Sequence, residues 1–162
     1  MTERRRAVLD DTWAYRALWD RRDSAHETAR SANELLVRLG AARFTTNFVL
    51  DETLTGLRAH GGWAVAVAFG RTVRRLESAG GLKVVTVDAA VEREAFRLFE
   101  RLNGKLPRLS YTDCTSFAVM RALRIRLAFT ADRHFDAVGA DLRALVEVTA
   151  GGHRLREELL LS

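Results

Sequence analysis

GGLKVVTVDAAVEREAFRLFERLNG, running from Gly80 to Gly104, decides the fold class. Its front part, LKVVTV from Leu82 to Val87, is a β-branched run that suits a strand covered on both faces. Asp88 follows as a helix N-cap, the next residues predict a helix reaching Leu102, and Asn103-Gly104 stops it. A covered strand feeding directly into a capped helix is the building unit of an α/β domain with a mostly parallel sheet.

The same alternation extends in both directions. Upstream, Ala7 to Leu9 reads as a first strand entering a helix over Thr12 to Trp19. Ser24 and Glu27 form a capping-box signature for a helix from Ala25 to Leu39, closed by Gly40. Ala42 to Thr45 reads as a short strand, followed by a helix over Asn47 to Ala59 that Gly61-Gly62 breaks. Trp63 to Ser78 predicts a helix with Val65, Phe69, Val73 and Leu76 on its apolar stripe. Downstream, Pro107 marks a loop, and Ser110-Tyr111-Thr112-Asp113 is a capping pattern opening a helix that carries Phe117, Met120 and Leu123. Leu127 to Thr130 and Leu145 to Val148 read as the last two strands. With 162 residues and no interior linker or repeat, one domain over 1–150 is the economical reading, with 151–162 as a short basic and apolar tail.

Composition narrows the function class. No apolar stretch approaches the roughly 20 residues needed to cross a bilayer, and Asp10 and Asp11 interrupt the apolar run behind the basic N-terminus, so neither a membrane span nor export is expected. A single cysteine, Cys114, allows no internal disulfide, which suits a reducing cytoplasm. The net charge is +5, and all 26 cationic residues except Lys83 and Lys105 are arginine, whose planar fork matches phosphate oxygens.

Against that basic background stand four acids in separate settings: Asp11, Glu52, Asp113 and Asp132. Two follow apolar runs and two lie in helical patterns, so a compact fold could gather them at one edge. Carboxylates gathered in space stay ionised only with a compensating cation. Mg²⁺ or Mn²⁺ is the natural candidate, because both prefer carboxylate and water oxygens. An acidic centre in a basic surround is what a metal-dependent nuclease needs. Singly, each acid has an ordinary alternative: Asp11 as an N-cap, Glu52 as a solvent-facing helix residue, Asp113 as a favourable N-terminal helix charge and Asp132 as a turn residue, with Asp136 its competitor.

The words around these acids are more specific. DT after the first strand, TTNFVLDETL around Glu52, LSYTDCTSFAVMRALRI around Asp113 and AFTADRHFDAVG around Asp132 together resemble the PIN-domain ribonucleases, in particular the toxins of VapBC-type toxin–antitoxin pairs. The resemblance implies a three-layer α/β/α fold with a central parallel sheet and an acidic pocket at its carboxyl edge. It further implies Mg²⁺- or Mn²⁺-dependent endonucleolytic cleavage of RNA by Asp11, Glu52, Asp113 and Asp132. A small cognate antitoxin and a homodimer are the partners it implies, and Trp13, Tyr15, Trp19, Trp63, Val65 and Phe69 offer docking surface. One departure stands out: the family commonly has a small polar residue two positions after the first Asp, where this chain has Trp13. A water-orienting role would then fall to Thr12, Asn47 or Thr130.

Other chemistries fit less well. His26, His60, His134 and His153 share no zinc-ligand spacing with each other or with Cys114; His134, two residues after Asp132, could touch a phosphate, although a lone histidine is more often structural. Cys114 beside Asp113 reads as a small core residue, its thiolate disfavoured by the negative neighbour. A haloacid-dehalogenase-like phosphohydrolase needs an Asp-x-Asp arrangement, whereas Asp10 and Asp11 are adjacent and point to opposite sides of a strand. A non-toxin RNA-processing PIN nuclease and a catalytically silent RNA-binding module remain as alternatives.

Overall fold

A computed structural model describes residues 6–135 and the backbone of 146–147. Its strands are β1 (Ala7–Asp10), β2 (Ala42–Thr46), β3 (Lys83–Val85), β4 (Leu127–Phe129) and β5 (Val146–Glu147). They form one sheet in the order β3-β2-β1-β4-β5, every pairing parallel. Among the described residues the helices between these strands are α1 (Thr12–Trp19), α2 (His26–Arg38), α3 (Asn47–Gly61), α4 (Trp63–Ser78), α5 (Ala89–Asn103) and α6 (Tyr111–Leu123), and residues 133–135 are helical as well.

Strand alternation sorts the core into layers. Val8 and Phe129 point to the face covered by α1 and α2. Their chain neighbours Leu9 and Ala128 point to the opposite face, against α5 and α6. In β3, Val84 joins Leu82, Phe69 and Val73 beside α3 and α4, and Val85 joins the α5/α6 side. The result is the expected α/β/α sandwich. The chain builds β1, β2 and β3 outward in one direction and then crosses to the other side of β1 for β4. Right-handed crossovers require the helices to change face when the direction reverses, which is why α5 and α6 lie opposite α1 to α4. That reversal leaves a crevice between the carboxyl ends of β1 and β4, the place where open α/β sheets bind ligands.

Several local expectations need correction. The Ser24 capping box does not form. Ala25 is the N-cap of α2, Asp23 Oδ1 accepts from Ala25 N at 2.8 Å, and Glu27 pairs with Arg30 instead. The strand expected over Leu82 to Val87 is paired only over Lys83–Val85. Val87 N donates to Asn47 Oδ1 at 2.8 Å, so the first residue of α3 takes the place of a neighbouring strand. In α4 the buried residues are Ala66, Phe69 and Val73; Leu76 is exposed. The break between α3 and α4 is Gly62, whose φ of +87° a side chain would strain. Among the described residues no helix is long and apolar enough to cross a membrane. The tail 151–162 lies outside the described residues.

Candidate active site

Asp10 and Asp11 separate at the end of β1, as their adjacency predicts. Asp10 turns under the sheet, where Arg43 Nη2 meets its Oδ1 at 2.7 Å and the Tyr15 hydroxyl donates to its Oδ2 at 3.1 Å. Arg43 also donates to Asn33 Oδ1 at 3.0 Å and lies over the Phe129 ring, 5.4 Å from its centroid. Asp10 is therefore consumed by a buried structural network.

Asp11 occupies the N-cap position of α1, yet its side chain makes no cap hydrogen bond. Its carboxylate instead faces the crevice, where Thr130 Oγ1 donates to Oδ2 at 2.8 Å. Thr130 is the residue after β4, and its hydroxyl oxygen accepts from Asp132 N at 3.0 Å, fixing the turn that presents Asp132. On the far side, α6 delivers Asp113 through a complete capping box: Asp113 N donates to Ser110 Oγ at 3.0 Å and Ser110 N donates to Asp113 Oδ2 at 2.9 Å. The turn is clamped to α6 by Phe135, 1% exposed, whose ring packs edge-on against Phe117 with centroids 4.8 Å apart.

Glu52 comes from the first half of α3 and stands at the exposed rim, its Oε2 accepting from Thr12 Oγ1 at 2.6 Å. Thr12 thus supplies a hydroxyl to the acids where Trp13 has none. Trp13 itself packs edge-on against Phe129, centroids 6.3 Å apart, within the α1/α2 core. Asn47 is exposed and its Oδ1 is engaged by Val87 N. Asp136, the competitor for the fourth acidic position, lies outside the described residues.

His134 joins the cluster. Its Nδ1 lies 3.1 Å from Asp132 Oδ1 and 3.8 Å from Asp113 Oδ2. Asp113, Asp132 and His134 each offer one ligand atom, all within 4.8 Å of one another, an arrangement able to hold a cation. The sequence signal was present in the word ADRHF, but a single histidine without a spaced partner gives no ligand pattern; the Phe135 clamp that aims it is a tertiary contact.

Electrostatics show what the cluster favours. Burial, followed by the neighbouring Asp113 charge, pushes the Asp11 carboxyl up to about 7. Burial likewise raises Asp113 to about 6, with Asp132 and Glu52 adding to the rise and the Ser110 hydrogen bonds opposing it. Cys114 is pushed up to about 11 by burial and by Asp113, which keeps it an inert thiol in the core. A positive charge at the cluster would relieve the carboxylates.

This strain has a measurable sign. In metal-free protein the folded chain keeps a proton on Asp11 that the unfolded chain releases near pH 3.8, so stability falls as pH rises from about 4 to about 7. Asp11→Asn removes that penalty while an amide oxygen still accepts from Thr130. Its stability advantage over the parent chain is expected to be small at pH 4 and about 4 kcal/mol at pH 7.5, read from urea unfolding in chelator. An advantage independent of pH would contradict the placement of Asp11.

Comparison with known proteins agrees with this architecture. The family model described as "PIN domain" matches residues 7–141. The chain belongs to the PIN-domain family. Among curated proteins, the 23S rRNA-specific endonuclease VapC20 of Mycobacterium tuberculosis is 35% identical over 136 residues, spanning 82% of this PIN protein and 94% of that one. The crystal structure of M. tuberculosis VapC20, described as a Sarcin-Ricin loop cleaving toxin, superposes with a TM-score of 0.70 at 31% identity, covering 82% of this chain and 95% of that one. VapBC2 from Rickettsia felis, bound to a DNA fragment from its promoter, gives a TM-score of 0.63 at 13% identity, covering 87% and 98%, a likeness of fold alone.

Proposed function

We propose that this PIN-domain protein is a Mg²⁺- or Mn²⁺-dependent endoribonuclease, the toxin of a VapBC-type pair. The observation that carries the reading is the convergence of Asp11, Asp113 and Asp132, with Glu52 at the rim, on the crevice between β1 and β4. The donor set fits a hard divalent cation: carboxylate oxygens predominate, and two of the carboxyls are held far above their ordinary range by burial and mutual repulsion. Asp113 and Asp132 would hold the ion, with Asp11 across from them and Glu52 reaching it from the rim. When bound, the ion supplies Lewis-acid stabilisation of phosphate charge and a water nucleophile near neutral pH.

The protein's own groups do the positioning. Thr130 orients Asp11 and the backbone of Asp132 with one hydroxyl, and Thr12 fixes the rim carboxylate Glu52. Arg133, exposed between Asp132 and His134, would offer its guanidinium to an RNA phosphate near the site. With water rather than the neighbouring 2′-hydroxyl as nucleophile, the products carry a 5′-phosphate and a 3′-hydroxyl. The relatives point to structured ribosomal RNA as the substrate class, and a small antitoxin is the partner that would restrain it. Of the docking residues read from the sequence, Tyr15 and Phe69 are core, whereas Trp63 is 65% exposed.

Asp132 rather than Asp136 serves as the fourth acid in this reading. Asp132→Asn is expected to reduce metal-dependent cleavage at least about 100-fold and Asp136→Asn less than about threefold, and the reverse ranking would reject the placement. The toxin reading is tested in cells. Expression of the chain alone should arrest growth, co-expression of the adjacent gene should relieve the arrest, and Asp113→Asn should abolish it. Cleavage by pure protein without toxicity or a stable complex would instead favour a stand-alone RNA-processing enzyme.

A further inference from the structure

His134 sits in an arrangement that the four-carboxylate reading leaves unexplained. Its Nε2 lies 3.1 Å from the carbonyl oxygen of Pro107. A carbonyl only accepts, so Nε2 carries the proton and donates, which frees Nδ1 as a lone-pair donor in the neutral ring. That Nδ1 is buried and has no aligned hydrogen-bond partner, although Asp132 Oδ1 is 3.1 Å away and Asp113 Oδ2 3.8 Å away. Two carboxylate oxygens at these separations from a ring nitrogen call for positive charge between them, supplied either by a proton on Nδ1 or by a cation that Nδ1 binds together with the carboxylates. The orientation is also well supported: Asp132 Oδ1 accepts from His134 N at 2.9 Å, Phe135 N donates to Asp132 O at 3.1 Å, and the Phe135–Phe117 contact pins the turn to α6. A histidine whose outer nitrogen donates to a backbone carbonyl while its inner nitrogen points at carboxylates has the form of a metal ligand with its orienting partner.

We propose that His134 Nδ1 is a direct ligand of the divalent cation, sharing it with Asp113 and Asp132, so that the centre is a mixed nitrogen–oxygen site rather than an all-carboxylate one. The inference rests on the nuclease reading for the presence of the cation, and it adds a ligand and a selectivity. Mg²⁺ keeps to oxygen and water, whereas imidazole suits first-row transition ions, so His134 tilts the site toward Mn²⁺. The preference for Mn²⁺ over Mg²⁺ is expected to be about tenfold in the parent chain and to vanish in His134→Ala.

The test uses Mn²⁺ alone, bound to the intact protein and followed by pulsed electron paramagnetic resonance. The parent complex should show hyperfine coupling to a directly bound nitrogen, and selective 15N-labelling of histidine should convert that signal to the 15N pattern without any mutation. His134→Ala should lose it. Tight Mn²⁺ binding without histidine-nitrogen coupling would overturn the ligand assignment and leave the nuclease reading standing. Failure of Mn²⁺ to bind at this centre at all would overturn both.

Discussion

Asp113→Asn is expected to lower RNA cleavage by about 10³-fold or more while leaving the protein folded and at least as stable as the parent. The loss follows from removing a carboxylate that would hold the cation, whose Lewis-acid contribution amounts to several kcal/mol of transition-state stabilisation. The unimpaired fold follows from local geometry. Asp113 closes the capping box of α6 by accepting from Ser110 N, and an asparagine side-chain oxygen accepts in the same place. Substitution also removes a carboxyl that burial holds at about 6, along with its repulsion of Asp11. A variant that loses activity because it unfolds would be visible by circular dichroism, and retained activity in a folded Asp113→Asn would remove this residue from the site.

Arg43→Leu is expected to destabilise the protein by about 3–5 kcal/mol, because it leaves Asp10 buried without its counter-charge. The pair is deeply enclosed, with side-chain exposures of 12% for Arg43 and 3% for Asp10. The same guanidinium also ties α2 to the sheet through Asn33 and covers the Phe129 ring, so several contacts vanish together. Adding Asp10→Asn should recover much of the loss, since a neutral amide is far cheaper to bury than an unpaired carboxylate. Chemical unfolding of the two single variants and the double variant measures this coupling. Additive losses would show that Asp10 and Arg43 do not act as a pair.

How much of this was legible in the chain depends on whether a feature is local. β1, α1 and α4 fall where the apolar runs, caps and glycines place them, because those signals act within a turn or two. The Ser110 capping box and the Asp88 cap formed as read. The Ser24 signature failed because Asp23 competes for the backbone at the start of α2, and two adjacent capping residues look alike in sequence. The strand through Val87 was cut short by Asn47, a contact spanning 40 positions that no local pattern encodes. The same distinction governs the site. The acids were visible in recognisable words and Thr12 and Thr130 were named beside them, but which acid each hydroxyl meets is set across large separations: Thr12 with Glu52 and Thr130 with Asp11. His134 shows the limit most clearly, since its aim is set by Pro107, Phe117 and Phe135 together.

Cleavage of RNA by the purified protein tests the central claim most directly. Ribosomal RNA carrying its intact stem-loops would be incubated with protein stripped of metal, then with Mg²⁺ or Mn²⁺ restored, and the product ends mapped. The predicted result is discrete cuts that appear only with the cation, leave 5′-phosphates and disappear in Asp113→Asn. Cleavage that persists in chelator, or intact RNA in the presence of protein shown to have bound Mn²⁺, would contradict it.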